Sequence, residues 1–189
     1  DDLVAAMIDI AKQKTEELGK VKDFTEAELE TLYHTIGLGA LKFFLLRVDP
    51  KKKMIFNPEE SIDFHGFTGP FIQYTHARIK SILRKANAED AALTNAPSTP
   101  LLPLEKEVTI QLEQFTSMLE EAAAAFDPSK VAIFIFNLAK TFNALYAEHS
   151  ITNAETDEKK ILRLQLATLT AQTLKTGMAV LGIPVPEKM

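Results

Sequence analysis

"GPFIQYTHARIKSILRKA", residues 69–86, decides how the rest of the chain is understood. Wound at about 100° per residue, Phe71, Ile72, Ile79, Ile82 and Leu83 gather on one side of a helix, while Tyr74, Arg78, Ser81 and Lys85 form a second, narrow stripe. The first stripe predicts packing on a core. The second places a ring and cations on the side expected to meet water. Residues 71–87 hold four basic side chains, Arg78, Lys80, Arg84 and Lys85, and no acidic one, although the whole chain carries a net charge of −5. That total argues against indiscriminate nucleic-acid binding; the positive charge is local.

At 189 residues and 46% hydrophobic content, the chain can bury one good core, or one domain and a piece of another. No apolar run approaches the roughly 20 residues a membrane helix needs, and no secretory leader opens the sequence, so a soluble protein without a membrane role is expected. The absence of cysteine excludes disulfides and thiolate metal sites and suits the cytoplasm.

Outward from residues 69–86, the pattern is helical almost throughout. Residues 1–18 form a helix ended by Gly19, Thr25 with Glu28 makes a capping box for the next, and "GALKFFLL" continues as a third after a break at "HTIGLG". "VDPKKKMIFNPEES" holds a turn, a lysine run and a short possible strand, and Asn57–Pro58 has the residue types that start a helix. Further helices are expected at about 69–87, 103–126, 128–147 and 156–181, with "NAPSTPLLP" (95–103) as a loop. "FDPSK" gives the third of these an N-cap, Asp127, and a first-position proline, Pro128. That helix is apolar nearly all round, as the centre of a bundle would be.

Signals for catalysis are weak. "HTIGLG" has a lone G-x-G without a preceding strand, the four histidines lack metal-binding spacing, and no serine sits in a nucleophile elbow. Neither metal nor cofactor is expected in this chain. Lys51–Lys53 is a solvated turn, with phosphate contact the lesser reading. A small-molecule enzyme using Glu105 and Glu107 would need a concave polar pocket; an exposed glutamate face accounts for both more simply. For the Tyr74–Arg78 stripe, a solvated basic face is the plainer account on spacing alone. A ring within such a face favours single-stranded RNA, because it stacks on an unpaired base while Arg78 and Lys85 hold phosphates. A helical protein-interaction module is the alternative, since tyrosine and arginine are also enriched at interfaces.

"GPFIQYTHARIKSIL" resembles the signature that opens the anticodon-binding domain of arginyl-tRNA synthetases, a class I family. "GLGALKFFLLRVDPKKKMIFN", "LAKTFNALY" and "LKTGMAVLGIPVPEKM" resemble, in order, the segment before that domain, its central helix and its terminal helix. The resemblance implies an all-α fold: residues 1–66 as the last part of the catalytic and stem-contact region, residues 67–189 as the helical anticodon-binding bundle. It implies that Tyr74, Arg78, Tyr146 and Met189 contact anticodon-loop nucleotides of tRNA(Arg). The other expected partner is the catalytic domain of the same parent chain, with a monomer as the oligomeric state. Thr75 stands where the commoner signature has alanine, a departure expected not to touch the contact residues. His-x-Gly-His and Lys-Met-Ser-Lys-Ser, the class I signatures, are missing, so ATP would be used by the parent enzyme and this chain alone is expected not to charge tRNA. The first residue is not methionine, as in a cut fragment.

Overall fold

The computed structural model describes residues 2–17, 19, 24–88 and 99–189, and these form seven α-helices with no strand among the described residues. In chain order they are α1 (Asp2–Glu17), α2 (Glu26–Leu46), α3 (Pro58–Ser61), α4 (Gly69–Lys85), α5 (Pro103–Ala125), α6 (Pro128–Glu148) and α7 (Asp157–Val180). The expected possible strand near residue 55 is absent: residues 53–57 run as irregular chain into α3. Of the 95–103 loop, residues 95–98 lie outside the described residues, as do Asp1 and Leu18 of the first expected helix; Thr99–Leu102 are non-helical, and Pro103 opens α5.

Local chemistry explains the boundaries. Thr25 and Glu28 form the expected capping box, Asn57 caps α3 by accepting from the Glu60 N–H, and Asp127 accepts from the Ser129 N–H at 3.0 Å. Each satisfies an amide that the first helical turn leaves open. Between α5 and α6 the chain turns at Phe126, which takes a left-handed φ of 50° and is 87% exposed.

The break expected at "HTIGLG" does not occur; α2 runs straight through it. The glycines serve close packing instead. A Cβ on Gly37 would lie 2.9 Å from the Met7 carbonyl of α1, and one on Gly39 would lie 2.6 Å from the Gln73 amide nitrogen of α4. Glycine mid-helix is intrinsically costly, and here that cost is offset by helix contacts no side chain would permit.

Two apolar cores result. Met7, Ala11, Leu32, Ile36, Ala40, Ile62 and Phe64 form the smaller, between α1, α2 and α3. The larger fills the space among α4–α7, with Ile72, Ile79, Ile135, Leu138, Phe142 and Leu174 fully or almost fully buried. As its apolar circumference predicted, α6 is central, touching α2, α4, α5 and α7. Tyr74 and Met189, from the second half of the chain, pack against the smaller core and so stand at the seam between the two.

Candidate nucleic-acid interface

Three faces of α4 have three different neighbours. Ile72, Ile79, Ile82 and Leu83 enter the larger core. Tyr74, Arg78, Ser81 and Lys85 line an open groove of about 1260 Å³. The stripe is therefore a wall and not a free surface: Tyr74, Arg78 and Ser81 are partly buried, and only Lys85 is exposed. A third face, Gln73, His76, Lys80 and Arg84, meets the last residues of the chain.

The groove also receives Tyr146 from α6 and Lys188 and Met189 from the C-terminal segment. All five residues singled out in the sequence, Tyr74, Arg78, Lys85, Tyr146 and Met189, thus converge on one concavity. Their arrangement centres on Arg78. Its guanidinium carbon lies 4.7 Å from the Tyr74 ring centroid and 5.8 Å from that of Tyr146, within cation–π range of both. Tyr74 is buttressed from behind by Phe64, edge to face at 6.4 Å, whereas Tyr146 is 41% exposed.

Arg78 donates from Nη1 to Asn143 Oδ1 at 2.7 Å. Asn143 in turn donates to the Thr75 hydroxyl at 2.8 Å, and Thr75 donates to the Phe71 carbonyl at 2.9 Å. Thr75 was expected to stand apart from the contact residues; it is instead one link from Arg78. Asn143 escaped the sequence reading, although its spacing three residues before Tyr146 puts both on one face of α6.

The charged side chains of this groove are of one sign among the described lining residues. Arg78, Arg84, Lys85 and Lys188 line it, with no carboxylate side chain among the described lining residues. The run of four basic residues does not act as one patch, because Lys80 turns away to pair with Glu187 at 3.4 Å. Lys188 bridges the groove rim: its ammonium lies 3.0 Å from Glu28 and 4.2 Å from the Phe24 ring centroid. Glu28 is held down to about 2, chiefly by the Thr25 N–H and then by Lys188.

The carboxylate-enzyme idea fails on geometry. Glu105 is fully buried, not on an exposed face: Arg163 Nε donates to it at 2.8 Å and Lys159 Nζ at 2.5 Å. Glu107 is exposed and meets only the Thr141 hydroxyl among the described hydrogen bonds.

A helical bundle presenting rings and cations along one open groove has the architecture of a helical nucleic-acid-binding domain. Residues 72–189 match the DALR anticodon binding domain family, and the chain belongs to that family. Over its whole length it is 50% identical to the arginine–tRNA ligase of Flavobacterium psychrophilum, of which it spans 31%. It is 46% identical to that of Amoebophilus asiaticus, of which it spans 32%. The arginyl-tRNA synthetase of Thermus thermophilus shares its fold with a TM-score of 0.89 and 31% identity, across all of this chain and 32% of the other. The chain thus spans about a third of the length of the relatives it matches. Among the described residues, no helix is long and apolar enough to cross a membrane.

Proposed function

We propose that the groove between α4, α6 and the C-terminal segment grips the anticodon loop of tRNA(Arg), within an arginine–tRNA ligase whose remaining regions use ATP to esterify arginine to the tRNA 3′ end. The observation that carries this reading is the groove's composition: four cations, two tyrosine rings and no carboxylate side chain among the described lining residues, on a chain with net charge −5. Phosphates are drawn by the cations, and unpaired bases stack on rings. The division into a stem-contact segment, residues 1–66, and an anticodon-binding bundle, residues 67–189, belongs to the same reading, and the two separate apolar cores favour it. The catalytic domain of the same chain is the other partner, ATP is bound outside this chain, and the cytoplasm is the compartment.

Every arginine anticodon has cytosine at its middle position, so one pocket reading that base serves all of them. In this reading Met189, which lines the groove together with Tyr74, packs under that base, while nearby backbone carbonyls accept from the exocyclic amine that separates cytosine from uracil. The test is fluorescence anisotropy with an arginine anticodon stem-loop bearing middle cytosine or middle uracil. Wild type is expected to prefer cytosine, and deletion of Lys188 and Met189 to erase the preference more than the affinity. Equal discrimination by intact and shortened chains would overturn the terminus as part of the reader.

A further inference from the structure

Chain ends ordinarily fray. This one is fastened at nearly every residue. Gly182, at φ 68°, stops α7, and its carbonyl accepts from Lys42 Nζ at 2.8 Å. Ile183 is buried. The Pro184 carbonyl accepts from Gln73 Nε2 at 2.9 Å, the Pro186 carbonyl is 2.9 Å from His76 Nδ1, and the Glu187 carbonyl accepts from Arg84 Nη1 at 3.1 Å. The Glu187 carboxylate sits between Lys80 and Lys175, at 3.4 and 3.1 Å.

We propose that Gln73 and His76 are positioning residues: they fix the register of residues 184–187 along α4 and thereby place Lys188 and Met189 at the groove before any RNA arrives. This rests on the groove being the RNA site, and adds to it a cause for the pocket's shape.

The argument is one of geometry and hydrogen-bond roles. Carbonyl oxygens only accept, so His76 carries its proton on Nδ1, and the Gln73 amide is oriented with nitrogen toward both the Thr35 carbonyl, at 3.1 Å, and the Pro184 carbonyl. Gln73 thus ties α2, α4 and the tail to one nitrogen, while its Oε1 is buried without a partner among the described residues. Leaving that oxygen unsatisfied is unfavourable, and the two donated bonds are what the arrangement gains. Both side chains are almost completely buried, Gln73 at 0% and His76 at 1% exposure. They touch nothing in the groove, yet stand one position before Tyr74 and two before Arg78. Alternate residues of the tail, Pro184 and Pro186, present carbonyls to the same side, as extended chain does. Proline at both positions also removes tail amides that would otherwise need partners there. Gly39 completes the device, since a side chain there would collide with the Gln73 amide.

The test compares His76→Leu, which loses the donor, His76→Asn, which keeps a nitrogen donor near Nδ1, Gln73→Glu, which sets a carboxylate against two carbonyls, and Glu187→Gln, which is exposed and leaves the fold alone. The first readout needs no RNA: the rate at which a carboxypeptidase releases Met189. Release is expected to quicken about tenfold for His76→Leu and Gln73→Glu and about threefold for Glu187→Gln, with His76→Asn near wild type. Wild-type rates in Glu187→Gln together with equal rates for His76→Leu and His76→Asn overturn the latch, whichever variants fold. The second readout is the cytosine-to-uracil affinity ratio for the stem-loops, expected to fall in the same order. Faster release with an unchanged ratio overturns the positioning role. No stem-loop binding by wild type overturns the RNA assignment while the release rates still judge the latch.

Discussion

Two arginines of this chain, Arg163 and Arg78, show how similar chemistry is put to opposite uses. Arg163 is 1% exposed and meets Glu105 at 2.8 Å, Glu155 at 2.9 Å and the Ser150 carbonyl at 2.7 Å, so its charge is neutralised within the fold. Arg78 lies between two rings and donates a hydrogen bond to the neutral amide of Asn143. No carboxylate pairs with it among the described residues, so its charge is oriented but not cancelled. A buried charge must be compensated to be tolerated. A partly buried one that is held in place without compensation is available to an outside anion.

If that contrast is right, the largest effect comes from breaking the internal cluster. Glu105→Ala leaves Arg163 and Lys159 without their shared buried carboxylate and is expected to cost about 3 to 5 kcal/mol of stability, measured by urea unfolding. The cluster joins the start of α5 to the start of α7, so the loss is global. Next in size, Arg78→Ala is expected to weaken stem-loop binding by about 1 to 3 kcal/mol, with Tyr146→Ala similar through lost stacking, while the melting temperature hardly moves. A large stability loss in Arg78→Ala would merge the two arginines into one class.

Acid sharpens the comparison. Burial works to raise the Glu105 carboxyl, but hydrogen bonds from Lys159, the Leu102 N–H and Arg163 outweigh it and hold the group below its ordinary 4.5. Its stabilisation is present above 4.5 and is lost as pH falls through the lower folded value. His76 is likewise lowered from 6.5, by burial acting against the Pro186 carbonyl bond. Below 6.5 the unfolded chain takes up that proton first, so stability declines before Glu105 is reached. Melting temperature followed from neutral pH to well below 4.5 is expected to fall in two stages, the earlier one missing in His76→Asn.

The smallest effect belongs to Thr75→Ala. Removing the hydroxyl frees Asn143 to swing, and Arg78 with it, for an expected twofold loss of stem-loop affinity, about 0.4 kcal/mol. No change would mean that Asn143 holds Arg78 unaided.

Much of the fold was legible because capping chemistry and apolar periodicity agreed. The four helices α4–α7 fall within two residues of their expected ends, and Asp127 and Pro128 mark a corner that the chain does make. The break at Gly37–Gly39 was misplaced because a glycine that ends a helix and one that admits a neighbouring helix look alike until the neighbour, α1 or α4, is known. For the groove, residue types and spacing exposed the stripe on α4, but not that it forms a wall. Asn143 was missed because an amide on a central helix has no signature of its own. Lys80 was counted with its basic neighbours because charge per residue is visible in sequence, while the partner that consumes it, Glu187, lies over 100 residues away.

The central claim is that a groove lined by cations, with no carboxylate side chain among its described lining residues, faces RNA, and the salt dependence of stem-loop binding tests it most directly. Four groove cations engaging phosphates of a single-stranded loop should give log K falling against log salt with a slope of about −2 to −3, and Arg78→Ala should make the slope shallower by about 0.7. Affinity that stays flat between about 50 and 200 mM salt, in wild type and variant alike, would contradict the account.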